Sequence, residues 1–281
     1  MSIKFTAHNI RLDDGTLTKP EADFAMDSDP RFLAARRILE TLFPGTKDHL
    51  RMADIGCLEG GYAVEFARMG FQVLGVEVRQ SNIDACNYVK SKTNLTNLAF
   101  IKDDAWNISA HGQFDAIFCC GLLYHLEDPR QYLELLSSVT KKLLILQTHF
   151  ATSDNDWALA SYVRKKWKRL LKKSAGSASK NGNEHFGLSS MCEHEGVPGR
   201  WFIEYPNEEK FRKREHLKWA SWDNRRSFWP QREYLIQMIN DVGFDIVMEQ
   251  YDGLNPGIAE NMISGHYKRM SRGTFIGLKN E

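Results

Sequence analysis

Apolar positions along the chain fall into two alternating rhythms. Over residues 30–43, PRFLAARRILETLF, the side chains Phe32, Leu33, Ala35, Ile38, Leu39 and Leu42 recur at helical spacing behind Ser28, Asp29 and Pro30, residue types that open helices. From Arg51 onward, short apolar runs alternate with helical patterns. Arg51 to Ile55, Gln72 to Val76, Leu98 to Lys102, Phe114 to Cys120 and Lys142 to Gln147 read as strands. Helices are predicted over Tyr62 to Met69, Ser81 to Lys92 and Pro129 to Ser138. Strand followed by helix, repeated, predicts an α/β fold: a doubly wound, mostly parallel sheet with helices on both faces.

The rhythm stops near residue 150 and resumes near Gln231. There REYLIQMINDVGF predicts a helix ending at Gly243, DIVMEQY a strand, and Gly273 to Leu278 a last short strand. The stretch between differs in character. Six of the seven tryptophans lie at 157 or beyond, and SAGSASKNGN (174–183) reads as a flexible loop. The expected division is therefore a leading helix and binding core over 1–150, an aromatic-rich inserted cap over 151–230 covering the sheet's functional edge, and a last helix with strands over 231–281 that completes the core.

Composition narrows the class. With 42% hydrophobic and 26% charged residues in 281, the chain has the make-up of a soluble globular protein. Lys plus Arg total 37 against 36 for Asp plus Glu, so a net charge of +1 supplies no global field for a polyanion, and a nucleic-acid or lipid role needs a local patch. The run RKKWKRLLKK (164–173) is such a patch. It carries seven positive charges, with Val163, Trp167, Leu170 and Leu171 on one helical face. Two readings stand: a helix that touches an anionic membrane surface or a phosphate backbone, or a solvated helix whose stripe packs on the sheet domain. Five cysteines, at 57, 86, 119, 120 and 192, form no C-x-x-C pair, and their odd count fits reduced thiols and a cytoplasmic location. No run of about 18 apolar residues occurs, and the first residues lack the apolar core of a signal peptide, so neither a transmembrane segment nor export by that route is expected.

The sharpest motif is ADIGCLEGGY (53–62), a glycine-rich turn placed between a strand and a helix. In an open parallel sheet, ligands bind beyond the carboxyl ends of strands, and the following helix offers N–H groups to an anionic group. Glu77 ends the next strand, where a carboxylate can accept both hydroxyls of a ribose, and Asp104 follows the third strand in IKDDAW. Asp104 is equally well read as a helix cap. A dinucleotide fingerprint needs a glycine where this chain has Leu58.

The order Asp54-x-Gly56-x-x-x-Gly60-Gly61, followed by GVEVR, IKDDAW and FDAIFCCGLLYHLEDP, resembles the class I S-adenosylmethionine-dependent methyltransferase family over residues 30–150, and more loosely over 231–278. The resemblance implies S-adenosylmethionine as cofactor. Asp54, Gly56, Cys57 and Gly60 would then line its methionine end, Glu77 hold its ribose, Asp104 and Ala105 face its adenine, and Cys120 and Gly121 pass beside the sulfonium. Leu58 is a departure, since many members carry glycine there, and it narrows the turn. The string SWxNxxSFWP (221–230), joined to a helix ending in GF, resembles a bacterial subgroup associated with sugar, polysaccharide or secondary-metabolite modification. Part of it is also similar to enzymes of carboxymethyl-type transfer onto transfer RNA.

Methyl transfer is an in-line displacement in which positioning does most of the work, and a hydroxyl acceptor also gains from a base. His125 and His149 follow the fourth and fifth strands and are the candidates. Each has a second reading: His125 packs or caps the helix opening at Glu127 and Asp128, and His149 is a hydrogen-bonded loop residue. In the insertion, Trp201, Trp222 and Trp229 beside Arg200 and Glu204, together with Tyr124, suit a sugar ring or another flat acceptor, or else the aromatics form the insertion's own small core. EHEGV (193–197), with His185 and His216, matches no familiar metal-ligand spacing and reads as a solvated loop; no metal is expected. The expected activity is O-methylation of a sugar, glycan or other small-molecule hydroxyl. Transfer RNA modification is the alternative, and a non-catalytic cofactor-binding regulatory module is a third reading.

Overall fold

The computed structural model describes residues 3–152, 188–251, 260, 263 and 271–280; the basic run at 164–173, the loop at 174–183 and His185 lie outside them. The chain forms two compact units, one of Met1–Leu123, Arg130–His149 and Ile236–Glu281, the other of Tyr124–Pro129 and Phe150–Leu235.

The first unit is built on a seven-stranded sheet. Strands β1 (Arg51–Ile55), β2 (Gln72–Glu77), β3 (Leu98–Lys102), β4 (Phe114–Cys120) and β5 (Thr140–His149) run parallel, and β9 (Ile246–Gln250) and β10 (Arg272–Leu278) complete the order β3-β2-β1-β4-β5-β10-β9, with β10 antiparallel to both its neighbours. The apolar runs mark these strands because both faces are covered: Met52, Ala53, Ile55, Ile117 and Cys119 have no or almost no exposure. β5 is longer than its apolar run, since its polar end pairs with β10 as far as His149 opposite Arg272. Helix α1 (Pro30–Leu42) begins as expected, with Pro30 in its first turn and the Asp29 carboxylate accepting the Arg31 N–H. Helix α2 (Gly61–Arg68) buries seven consecutive residues from Gly61 to Ala67, and α3 (Gln80–Ser91) follows β2. Helix α4 (Pro129–Val139) leads into β5. The strand order reverses between β1 and β4, and the crevice outside the carboxyl ends of such strands is where ligands bind in open α/β sheets.

The second unit holds a three-stranded antiparallel sheet, β6 (Cys192–His194), β7 (Val197–Ile203) and β8 (Arg226–Pro230), with the short helix α5 (Glu208–Arg212) capped by Asn207. Glu195 and Gly196, at φ 49° and 76°, form the two-residue turn between β6 and β7, where both positions require the left-handed region. Helix α6 (Arg232–Asp241) follows β8. The segment 124–128 is bound to this unit residue by residue. Trp229 Nε1 donates to the Tyr124 carbonyl, Asn224 Nδ2 to that of His125, and the Phe228 N–H to that of Leu126. Arg226 grips the Glu127 carboxylate, and His194 meets Asp128. Among the described residues no helix is long and apolar enough to cross a membrane.

Candidate cofactor and acceptor site

The glycine turn leaves β1 through three left-handed residues: Gly56 at φ 73°, Leu58 at 49° and Gly60 at 81°. Leu58 therefore adopts the backbone that glycine would take at no penalty, a strain of about 1–2 kcal/mol for a residue with a Cβ. Its N–H is held at 3.1 Å by Glu77 Oε2. The other Glu77 oxygen accepts the Arg79 N–H at 2.8 Å, so the acid ending β2 ties the turn after β1 to the start of α3. Gly60 has no substitute, because a Cβ there would lie 2.6 Å from the Phe100 ring.

Two buried carboxylates face this turn. Burial pushes Asp54 up to about 8, reinforced by the charge of Glu77 and opposed by the Ala63 N–H, and its Oδ2 has no hydrogen-bond partner among the described residues. Burial also raises Glu77, against the pull of the Arg79 N–H. An orphaned buried acceptor beside a strained glycine turn is where a ligand's ammonium or hydroxyl groups would be taken up. The residues present fit S-adenosylmethionine in that respect.

Several expectations change at residue level. The first amide of α2 is not left for an anion, since the Gly61 N–H donates to His8 Nδ1 at 3.0 Å. Asp104 caps the turn of 3-10 helix over Ala105–His111, its Oδ1 accepting the Trp106 N–H. Cys57 is fully buried in the turn. Burial pushes the Cys120 thiol up to about 11, and it donates to Gln147 Oε1 at 3.1 Å; Gly121 follows at φ 86°. Gln147 Oε1 also accepts Arg272 Nη2 at 2.6 Å. Nothing in the local sequence marks Gln147 or Arg272, which meet only when β10 pairs with β5. Glu59 was likewise missed. Fully buried inside the turn, it accepts the N–H groups of Thr6, Ala7 and His8 and fastens the leading segment; these bonds outweigh its burial and hold it below the usual range. A charged residue among glycines was the available signal.

The histidines are placed differently from each other. His149 ends β5 with Nδ1 3.0 Å from the Ser271 carbonyl, so Nδ1 carries the proton. His125 lies in the second unit. Its Nδ1 lies 2.9 Å from Glu204 Oε1, which also accepts Ser227 Oγ, while Glu204 Oε2 accepts the Ser221 N–H. Glu204, expected to meet substrate, instead has its side chain 1% exposed and serves inside its own unit. Trp229 stacks on Phe202 at 5.1 Å and is 8% exposed, so it belongs to the insertion's core. Arg200 is buried and donates to the Ser189 carbonyl. Trp201, Trp222 and Tyr124 remain partly exposed, Trp201 under Arg226 at 4.0 Å and Trp222 beside Arg214 at 4.8 Å. EHEGV is no solvated loop: it forms the β6–β7 hairpin, and His194, Glu195 and Asp128 come together there.

Residues 46–196, more than half of the chain, match the family model described as a methyltransferase domain. Ubiquinone biosynthesis O-methyltransferase of Rickettsia bellii is 25% identical over 84 residues, 30% of this chain and 35% of that protein. The enzyme of the same name from Rhodopseudomonas palustris is 28% identical over 108 residues, 38% of this chain and 42% of its own. The matched stretch thus spans well under half of these curated relatives. Among solved structures, the N-terminal domain of EvdMO1, crystallised in the presence of SAH and D-fucose, superposes with a TM-score of 0.62 at 19% identity, covering 97% of this chain and 90% of that one. A toxoflavin-type N1-methyltransferase of Burkholderia thailandensis, with bound 1,6-didemethyltoxoflavin and S-adenosylhomocysteine, gives 0.51 at 10% identity over 90% of this chain and 80% of that one. By family and by fold, the chain belongs to the class I S-adenosylmethionine-dependent methyltransferases.

Proposed function

We propose that the protein transfers a methyl group from S-adenosylmethionine to a hydroxyl of a sugar or another small molecule. The observation that carries the reading is the buried carboxylate pair, Asp54 and Glu77, around a glycine turn with an unsatisfied acceptor at Asp54 Oδ2. Asp54 would take the ammonium of the cofactor's methionine end and Glu77 its ribose hydroxyls. When bound, the cofactor supplies an electrophilic methyl on a positively charged sulfur. Cys120, a neutral thiol, offers no competing thiolate.

Oxygen as the acceptor is supported by His125 and His149. Each engages an acceptor through Nδ1, Glu204 for His125 and the Ser271 carbonyl for His149. His125 is favoured, because the Glu204 carboxylate behind its imidazole fixes the tautomer and the ring's orientation. Tyr124, Trp201 and Trp222 are the aromatic faces that suit a saccharide. The sugar-linked neighbour and the O-methyltransferase relatives agree with this reading.

The test is incubation with methyl-labelled S-adenosylmethionine and a panel of monosaccharides, nucleotide sugars, phenols and bulk transfer RNA. Label in a small-molecule hydroxyl is the expected result, and its loss in His125→Ala with retained SAH binding assigns the base. Label confined to transfer RNA or to an amine overturns the acceptor. Tight SAH binding with no transfer to any pool would make the protein a regulatory module.

A further inference from the structure

We infer that Asp128, His194 and Glu195 form a site for one divalent ion of borderline character, between manganese and zinc, and that the ion fastens segment 124–128 to the three-stranded sheet. One ligand atom from each side chain lies within 4.8 Å of the other two, and His194 Nε2 stands 3.0 Å from Asp128 Oδ1. Ligands bonded to an ion at about 2.0–2.2 Å sit roughly 3 Å apart along a polyhedron edge, so one edge is already formed and Glu195 has a short approach to make.

The imidazole is held for the purpose. Its ring lies 4.7 Å from the Trp201 ring and 5.0 Å from that of Phe228, which fixes its plane with Nε2 toward Asp128. Glu195 is brought beside it by the tight β6–β7 turn. Arg226, the cation stacked over Trp201, is engaged by Glu127 at 2.8 Å. One imidazole with two carboxylates suits manganese, iron or zinc. Calcium and magnesium prefer oxygen alone, and copper(I) prefers sulfur. Side-chain exposures of 26% for His194 and 44% for Asp128 give an ion a way in and leave room for water to complete its shell.

The effect follows from where Asp128 lies. It is the last of five consecutive residues bonded within the second unit, three positions after His125, so coordination would lock the end of the segment that carries the proposed base. The competing account is a plain hydrogen bond between His194 and Asp128, which binds no metal.

Calorimetric titration of the full-length, untagged chain with zinc, and spin-resonance titration with manganese, separate the two. Expected are one equivalent of zinc, weaker binding of manganese by the usual ordering, and a loss of about tenfold or more in each of Asp128→Asn and Glu195→Gln. Zinc should also slow hydrogen exchange of the Phe228 amide, which donates to Leu126. Glu195→Gln lies in a partly exposed turn, and its fold is checked by circular dichroism. No saturable uptake, or one equivalent bound with unchanged affinity in both variants, overturns the site. SAH binding, measured alongside, reports on the methyl-transfer reading independently.

Discussion

Gly60 shows how one position can be decided twice. Its φ of 81° costs a residue with a Cβ about 1–2 kcal/mol, and a Cβ would also meet the Phe100 ring at 2.6 Å, adding about 1–3 kcal/mol of overpacking. Gly60→Ala should therefore lower unfolding free energy by about 2–5 kcal/mol in denaturant titration; a change below about 0.5 kcal/mol, the range of ordinary surface substitutions, would show the turn to be slack. Asp54 yields a prediction in pH. Its folded value near 8 lies above the unfolded value of about 3.9, so between those limits the native state holds a proton that the unfolded chain has released. Stability must then fall as pH rises from about 4 to about 8, by at most about 1.4 kcal/mol per unit from this group, with Glu77 shifted in the same direction. Asp54→Asn should flatten that slope. Parallel stability curves for the two proteins would remove the buried acid from the account.

At the scale of elements, what the sequence revealed depended on how local the cause was. β1 and β4 appear at their full extent in the apolar pattern because each is buried on both faces, while β3, at the sheet edge, buries only Leu98 fully and is marked by its short apolar run. β5 was read short at both ends, since its first residue pairs with Phe114 of β4 and its polar last residues with β10, far along the chain. The glycine turn was legible as a motif, whereas Glu59 was not, because its partners lie more than fifty residues earlier. Glu204 was misread for the same reason. Its residue type and aromatic surroundings suited a substrate contact, while its partner His125 stands 79 positions away. The consequence can be measured. Glu204→Ala strands the Ser227 hydroxyl, the Ser221 amide and His125 Nδ1, and should destabilise the second unit by about 3–5 kcal/mol. Glu204→Gln keeps the shape and one acceptor and should lose less. Hydrogen exchange should rise in 188–235 and 124–129 before it rises in β1 to β4; a uniform rise, or none, would refute the assignment.

Over the whole molecule, the chain enters the second unit twice, first for Tyr124–Pro129 and again for Phe150–Leu235, and returns each time to the sheet of the first. The cofactor-facing residues proposed here, from Asp54 to Gly121, all belong to the first unit, and the His125–Glu204 pair and the inferred metal site belong to the second. A ligand that binds only the folded first unit must stabilise that unit by mass action, about 2.7 kcal/mol at a hundredfold excess over Kd. Thermal unfolding with SAH at that excess should thus raise the transition reported by the seven-stranded sheet, with zinc acting on exchange in 188–235. A nicotinamide dinucleotide should do neither, because the place of the second fingerprint glycine is taken by Leu58. Equal stabilisation by the dinucleotide would mean that the turn reads a pyrophosphate after all, and the assignments of Asp54 and Glu77 would fail together. If SAH acts alone while Glu77→Ala keeps full affinity, only the ribose contact is lost and the methionine end stands.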